Sequence, residues 1–447
     1  MKQKLSWQNT VGMGFMVFAM FLGAGNLIFP PMVGQQAGTD MWYAAAGFLI
    51  TGVGLPLLGI VAISRVGGGF NEISGELPKA LMVLLGSFIY LIIGPLYAVP
   101  RTALVSFEVG LLPFLPEAGA LAQLVFSVVF FGLSWYLCIR PGKLLETVGE
   151  LITPALIALL VVLGLSPVFM PLGEPGNATG AYLETPFIRG FLEGYMTMDT
   201  LAALMFGIVI ITNLKSHGIT DKASLCHYSI ITGFIAAIGL ALVYLSLFYL
   251  GATSRDVVPE PENGGQILTL YVQTLFGTAG TALLAAVVTL ACLTTAIGCI
   301  TAASEYFDEM LEKVSYRTIV TVISLVCVGF ANMDLNEIIA LFLPVLLILY
   351  PLSIALIFLG LIRDWLPNPL LSYRWTLAVT LFMSVVDVLR ANEAAWLEPL
   401  LQPLSLIPGY DHHMLWFLPS LVVLIGTIVL GLILPLSPDR QRPKDSV

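Results

Sequence analysis

Apolar residues in this chain come in long runs separated by short polar intervals. The first run, Val11 to Met32, has 22 residues. At helical rise that is about 33 Å, enough to cross a hydrocarbon core of about 30 Å. Similar runs follow at Trp42 to Ile63, Ala80 to Leu111, Ala120 to Cys138, Gly149 to Pro167, Phe187 to Leu214, Leu225 to Gly251, Ala279 to Ala303, Thr318 to Ala331, Ile338 to Ile362, Trp375 to Leu389 and Leu415 to Leu436. The pattern predicts an all-α membrane protein with twelve transmembrane helices in one polytopic domain, 1–447.

Composition agrees, with 58% hydrophobic residues against 11% charged, which excludes a water-soluble globule. The first run is too long for a signal peptide and lacks a small-residue cleavage site. Short cytoplasmic loops concentrate Lys and Arg. With the N-terminus inside, Lys2, Lys4, Arg65, Lys79, Arg140, Lys143, Lys215, Lys222, Lys313, Arg317, Arg363, Arg374, Arg440, Arg442 and Lys444 are cytoplasmic. Only Arg189, Arg255 and Arg390 are external, and Arg101 falls within a span. Both termini are therefore expected in the cytoplasm. The net charge of -9 comes mainly from acidic external loops and gives no reason to expect nucleic acid. The five cysteines are scattered and mostly inside spans, where they read as small packing residues.

The long interval from Ser166 to Pro186 divides the first ten spans into two sets of five. An odd number of crossings makes the second set enter from the opposite side, the condition for inverted repeats. The expected division is 7–167 for the first repeat, 185–362 for the second and 370–437 for helices 11 and 12. The first span of each set is interrupted. Span one carries "FLGAGNLIFPP" (Phe21 to Pro31), with two glycines, an asparagine and a proline pair at bilayer depth. Span six has a clean apolar part, Leu201 to Leu214, of only 14 residues, too short to cross alone.

Gly costs a helix about 1 kcal/mol against Ala and Pro about 3, and peptide groups freed within a bilayer must find partners. Interrupted spans at matching places in two halves point to a transporter's binding site, where a solute and a cation supply those partners. Half-helix N-termini suit a carboxylate and C-terminal carbonyls suit a cation or ammonium, so a zwitterionic amino acid fits with little formal protein charge. Close helix packing through Gly23 and Gly25 is the competing explanation, but packing does not require the buried Asn26 or the prolines after it.

"FLGAGNLIFPP", "GPLYAVPRTALVSFEVG" (Gly94 to Gly110), "GYMTMDTLAALMFG" in span six and "TLACLTTAIGCITAASEYF" (Thr289 to Phe307) together resemble the branched-chain amino acid:cation symporter family of the BrnQ type. That family is placed in the amino acid–polyamine–organocation superfamily, which shares the five-plus-five inverted-repeat fold of bacterial leucine transporters. The resemblance implies uptake of leucine, isoleucine and valine across a bacterial cytoplasmic (inner) membrane, driven by an inward Na⁺ or H⁺ gradient, with no other cofactor. It also implies that backbone groups around Gly23, Ala24, Gly25 and Asn26 meet the substrate. "ACLTTA" is similar to a cation-ligating stretch of that fold. It implies Na⁺ ligation by the Ala19, Leu22 and Ala291 carbonyls and the Thr294 and Thr295 hydroxyls, if sodium is the driver. Such oxygen donors suit a hard cation, although helical Thr also bonds back to its own turn. The second cation site of some sodium-coupled relatives is not legible.

Within the spans, Arg101 and Glu108 lie two turns apart on one face and read as a gate or a mutual pair. Asp199 follows the interruption in span six. It reads as a contact to the substrate ammonium, as a proton carrier or, preferably, as a cap on the second half-helix. Tyr195, Met196, Thr197 and Met198 are expected to line the pocket, with adaptable methionines fitting aliphatic substrates. Glu146 and Glu150 read as a solvated helix start, and Asp387 as an interface cap. Nothing here bears on oligomeric state. A channel or facilitator for another small solute is the alternative, although no filter-like repeat is present. No nucleophile with a base supports an enzyme, and no G-x-x-x-x-G-K-[ST] loop supports an ATP-driven pump.

Overall fold

The computed structural model describes residues 5–139, 153–391 and 402–433, and every regular element among them is helical. Glu146 and Glu150 lie outside the described residues. Eight helical stretches are long and apolar enough to cross a membrane by length and composition. The apolar helices Leu156–Phe169, Tyr316–Phe330 and Phe417–Ile433 are shorter. The chain is a multi-pass membrane protein.

Span one is two helices. α1 (Trp7–Phe21) begins on Ser6, whose hydroxyl accepts the Asn9 N–H at 3.2 Å. It ends where Leu22 and Gly23 leave helical geometry, and α2 (Ala24–Ala37) begins directly after. Pro30 and Pro31 lie inside α2 and not in the interruption. Their missing N–H groups release the carbonyls of Asn26 and Leu27 from helical bonding without ending the helix. Span two is α3 (Met41–Leu49) and α4 (Leu55–Val66), joined by a wide π-type turn at Ile50–Gly54. Span three is α5 (Lys79–Leu91) and α6 (Ala98–Gly110), which meet at a bend where Gly94 and Tyr97 are non-helical. α7 (Ala120–Cys138) and α8 (Thr153–Phe169) follow.

Span six is also two helices. α9 (Pro186–Glu193) runs into a 3-10 turn, Gly194–Thr197, then Met198 at φ 63°, then α10 (Asp199–Ser216). A left-handed methionine costs about 1–2 kcal/mol, so surrounding contacts must impose this geometry. The remaining helices are α11 (Lys222–Ala252), α12 (Gly264–Met310, bent at Gly277), α13 (Tyr316–Phe330), α14 (Leu335–Ile362), α15 (Pro369–Ala391) and α16 (Phe417–Ile433).

The half-helices are held by close backbone approach. α2 packs along α11 and α9 along α3. A side-chain carbon on Gly251 would collide with the Pro31 carbonyl oxygen, and one on Gly34 with that of Phe248. Gly47 and Gly190 stand in the same relation to the Phe187 and Ala44 carbonyls. Without a hydrophobic force between helices in lipid, such small-residue contacts are what brings them together. Asp387 of α15 accepts the Leu415 N–H at 2.9 Å and lies 3.8 Å from Arg390, holding the approach to α16.

Gly251→Leu is expected to abolish recovery of monodisperse, detergent-solubilised protein. Gly132→Leu, at a lipid-facing position with open space around it, should leave the size-exclusion profile and melting temperature unchanged.

Candidate functional site

The two interruptions face each other, and one side chain joins them. Asn26, in the first turn of α2, accepts the Gly23 N–H through Oδ1 at 2.9 Å. Its Nδ2 donates to the two Asp199 carboxylate oxygens at 3.0 and 2.8 Å and also reaches the Tyr244 hydroxyl. Tyr244, from α11, donates to Asp199 at 2.5 Å. The amide orientation is fixed by its partners, since a flip would set its oxygen against the carboxylate and its NH₂ against an N–H.

Asp199 is therefore not the cap of α10. It occupies the first helical position and not the one before, so its carboxylate points across the site toward α2 and α11. The Thr197 hydroxyl takes the Asp199 N–H instead, at 3.4 Å. Nor do Arg101 and Glu108 form a pair. Two helical turns separate them by roughly 10 Å along the axis, and each has other partners. Glu108 accepts from Asn263 at 3.2 Å. Arg101 donates through Nη1 to the Tyr97 hydroxyl at 3.1 Å and to the Met196 carbonyl at 2.9 Å, bridging span three to the break in span six. Its guanidinium lies over the rings of Phe29 and Tyr97, 5.3 and 4.9 Å from their centroids.

Gly25 sits beneath that guanidinium. A side-chain carbon there would collide with Arg101 Nη2 and come within 3.0 Å of the Met196 oxygen. This distinguishes Gly25 from the packing glycines, which meet the backbone of a neighbouring helix. Of the four residues expected to line the pocket from span six, Thr197 and Met198 do so. Met196 presents its carbonyl to Arg101. Tyr195 turns away and stacks on Tyr350 at 4.3 Å, because successive side chains of a tight 3-10 turn point in different directions.

The oxygens of the expected cation site meet in two groups, one on each of the neighbouring threonines. Thr294 Oγ1 lies 2.8 Å from the Ala291 carbonyl and 3.4 Å from that of Ala19. Thr295 Oγ1 reaches the Leu22 carbonyl at 3.1 Å and that of Met20 at 3.3 Å. The single Thr294 hydroxyl hydrogen is thus shared between its own helix, with Ala291 the nearer acceptor, and α1. Carbonyls released at the end of α1, with two hydroxyls from α12, form a neutral oxygen cluster of the kind a hard monovalent cation takes. Thr295 also lies against Gly23, so the cluster adjoins the interruption.

A cavity of about 30 Å³ lies between these groups, lined by Gly23 to Asn26, Arg101, Asp199 and Thr295, with Phe21, Ile93, Ala202 and Phe206 as apolar wall. It has room for one or two waters. Tyr244 was not found by sequence reasoning, since a tyrosine in an apolar helix is ordinary. The apolar wall carries no sequence signal beyond hydrophobicity.

A family model described as branched-chain amino acid transport protein matches residues 6–433. The chain is 48% identical over 421 residues to a branched-chain amino acid transport system 2 carrier protein of Pseudomonas aeruginosa, covering 94% of this chain and 95% of that one. It is 41% identical to a branched-chain amino acid permease, BrnQ, of Escherichia coli (96% and 97% covered) and 40% identical to the permease BraB of Bacillus subtilis (99% of each). Among solved structures it is similar to MhsT in complex with L-phenylalanine, with a TM-score of 0.59 at 14% identity over 96% of this chain and 99% of that one. Mhp1, a nucleobase-cation-symport-1 family transporter, aligns with a TM-score of 0.58 at 15% identity over 97% and 95%. At such identities the likeness concerns the fold, which is the leucine-transporter fold. The chain belongs to the branched-chain amino acid transport protein family.

Proposed function

We propose that the protein is a secondary active symporter that takes up leucine, isoleucine and valine, coupled to an inward Na⁺ or H⁺ gradient, by alternating access. The observation that carries this reading is the meeting of two broken helices around one polar site. The first-turn amides of α2, at Ala24 to Asn26 beside Gly23, suit the substrate carboxylate. Asp199 suits its ammonium, and the adjoining oxygens of Ala19, Leu22, Ala291, Thr294 and Thr295 suit the cation. The apolar wall suits an aliphatic side chain. Carrier and permease relatives of similar length support the substrate class. The cavity is too small for an amino acid, so loading requires its walls to separate, as alternating access does.

The same reading gives twelve spans in a bacterial inner membrane, both termini cytoplasmic, and inverted repeats at 7–167 and 185–362 followed by two further helices at 370–437. α1 with α2 supplies the first crossing and α9 with α10 the sixth. Lipid is the only partner this requires besides substrate and ion.

Purified full-length protein in liposomes is expected to accumulate labelled leucine against its gradient, saturably, when an inward Na⁺ or H⁺ gradient is imposed. Dissipating that gradient should abolish accumulation. Uptake that merely equilibrates, whatever the gradient, would instead identify a channel or facilitator. Thr294→Ala combined with Thr295→Ala should raise the cation concentration for half-maximal leucine binding by about tenfold or more, at a tenfold per 1.4 kcal/mol. Unchanged cation activation removes those hydroxyls from the ion site. Asp199→Asn should weaken leucine binding by at least about thirtyfold, because losing one partner of a buried charged contact costs ~2–5 kcal/mol. A fall in melting temperature with unchanged leucine affinity would reduce Asp199 to a structural role.

A further inference from the structure

We infer that Arg101 is the carboxylate receptor of the transport site: its guanidinium binds the substrate carboxylate above Gly25, and the Met196 carbonyl holds it there between substrates. This rests on the amino-acid reading above and adds to it a charged ligand from span three.

Charge is the first reason. Arg101 is 2% exposed, and among the described residues no carboxylate forms an ion pair with it. Its Nη1 donates only to neutral oxygens, and its Nε has no hydrogen-bond partner among the described residues. Two aromatic rings attract the cation but do not neutralise it. A guanidinium buried among neutral partners is costly unless an anion arrives for part of its working cycle. Asp199, the acid in the same cavity, is near enough to feel the guanidinium but makes no hydrogen bond or ion pair to it; its oxygens accept from Asn26 and Tyr244 and otherwise face the cavity.

Position is the second. Arg101 lines the cavity, and its Nη2 occupies the space that any side chain on Gly25 would fill. That space lies at the N-terminal turn of α2, where free amides already favour an anion. The bend at Gly94 to Tyr97 starts α6 so that Arg101, one turn in, reaches this point. A planar fork of donors matches a carboxylate bidentately, which a lysine ammonium does not. Nη1 can exchange the Met196 carbonyl for a carboxylate oxygen while the unpartnered donors take the other. Arg101 and Asp199 then hold opposite ends of a zwitterion.

The test is calorimetric titration of the full-length protein in nanodiscs with leucine and with leucinamide, which keeps the ammonium and side chain and lacks the carboxylate. The unaltered protein is expected to prefer leucine by about tenfold or more, the scale of a charge-assisted hydrogen bond. Arg101→Gln should lower leucine affinity to the leucinamide level and leave leucinamide unchanged. Retention of the preference for leucine in Arg101→Gln overturns the inference. If that variant does not yield folded protein, Arg101→Lys decides: the charge remains but the fork is lost, so leucine should bind severalfold more weakly at an unchanged melting temperature. Unchanged leucine affinity in Arg101→Lys then overturns it. Absence of leucine binding by the unaltered protein counts against the amino-acid reading itself. Equal binding of leucine and leucinamide by the unaltered protein overturns carboxylate recognition here, by Arg101 and by the α2 amides alike, while leaving the amino-acid reading of the ammonium and side chain.

Discussion

A helix interrupted inside a bilayer leaves peptide groups with no water to receive them, and each unmet one costs about 1–3 kcal/mol. Asn26 is where this protein meets that constraint. One side chain satisfies the Gly23 N–H in its own interruption and reaches Asp199 at the other, so the two breaks cannot be arranged independently. Tyr244 closes the triangle from α11, whose backbone is brought against α2 by its own Gly251 and by Gly34 of α2. Packing and polar satisfaction are thus the same requirement: if α2 and α11 drew apart, the Tyr244 hydroxyl would leave the Asn26 amide.

Span six meets the same constraint through a different neighbour. The Thr51 hydroxyl donates to the Phe191 carbonyl in the last turn of α9 at 2.9 Å, and the Thr51 carbonyl accepts the Thr200 hydroxyl in the first turn of α10 at 3.0 Å. One residue bridges the two halves. It lies in the π-type turn of span two, where the wider winding displaces backbone groups from the usual helical register. Gly194 has no room for a side chain because Thr51 Oγ1 stands against it. The irregularity in span two thus serves the interruption in span six.

The interruption in span one was legible because Gly23, Gly25 and Asn26 at bilayer depth have no good structural excuse. Its position was only approximately legible: the prolines draw attention, yet α2 runs through them and the chain breaks at Leu22 and Gly23. The interruption in span six could be inferred from a short apolar run, but not its hinge. Met198 is left-handed, and methionine, unlike glycine, does not advertise that conformation. The oxygen cluster was legible as a set of residues, while Met20 joined it only in three dimensions. Arg101 and Glu108 were legible as costly charges. Their spacing suggested a shared helix face, which says nothing about the elements each would meet, and tertiary contacts separated them. The Asp199 cap failed for a related reason: local preference for a helix start was outweighed by a partner 173 residues away in sequence.

Charge bookkeeping links the site to its energy source. With Arg101 and Asp199 both ionised, the fixed charges facing the cavity sum to zero, and so does a zwitterionic amino acid. On the proposed function, loading the substrate therefore leaves the net charge of the buried site unchanged, and only the coupling cation alters it. Should that cation be Na⁺ held by carbonyls and hydroxyls, none carrying formal charge, the loaded carrier bears one net positive charge per ion through the membrane. Each charge moved is worth about 2.3 kcal/mol per 100 mV of membrane potential. A site built from neutral oxygens places that work on the loaded carrier's crossing. A carboxylate at the same place would move the voltage-dependent step to the return of the empty carrier, with the same charge carried per ion over the whole cycle.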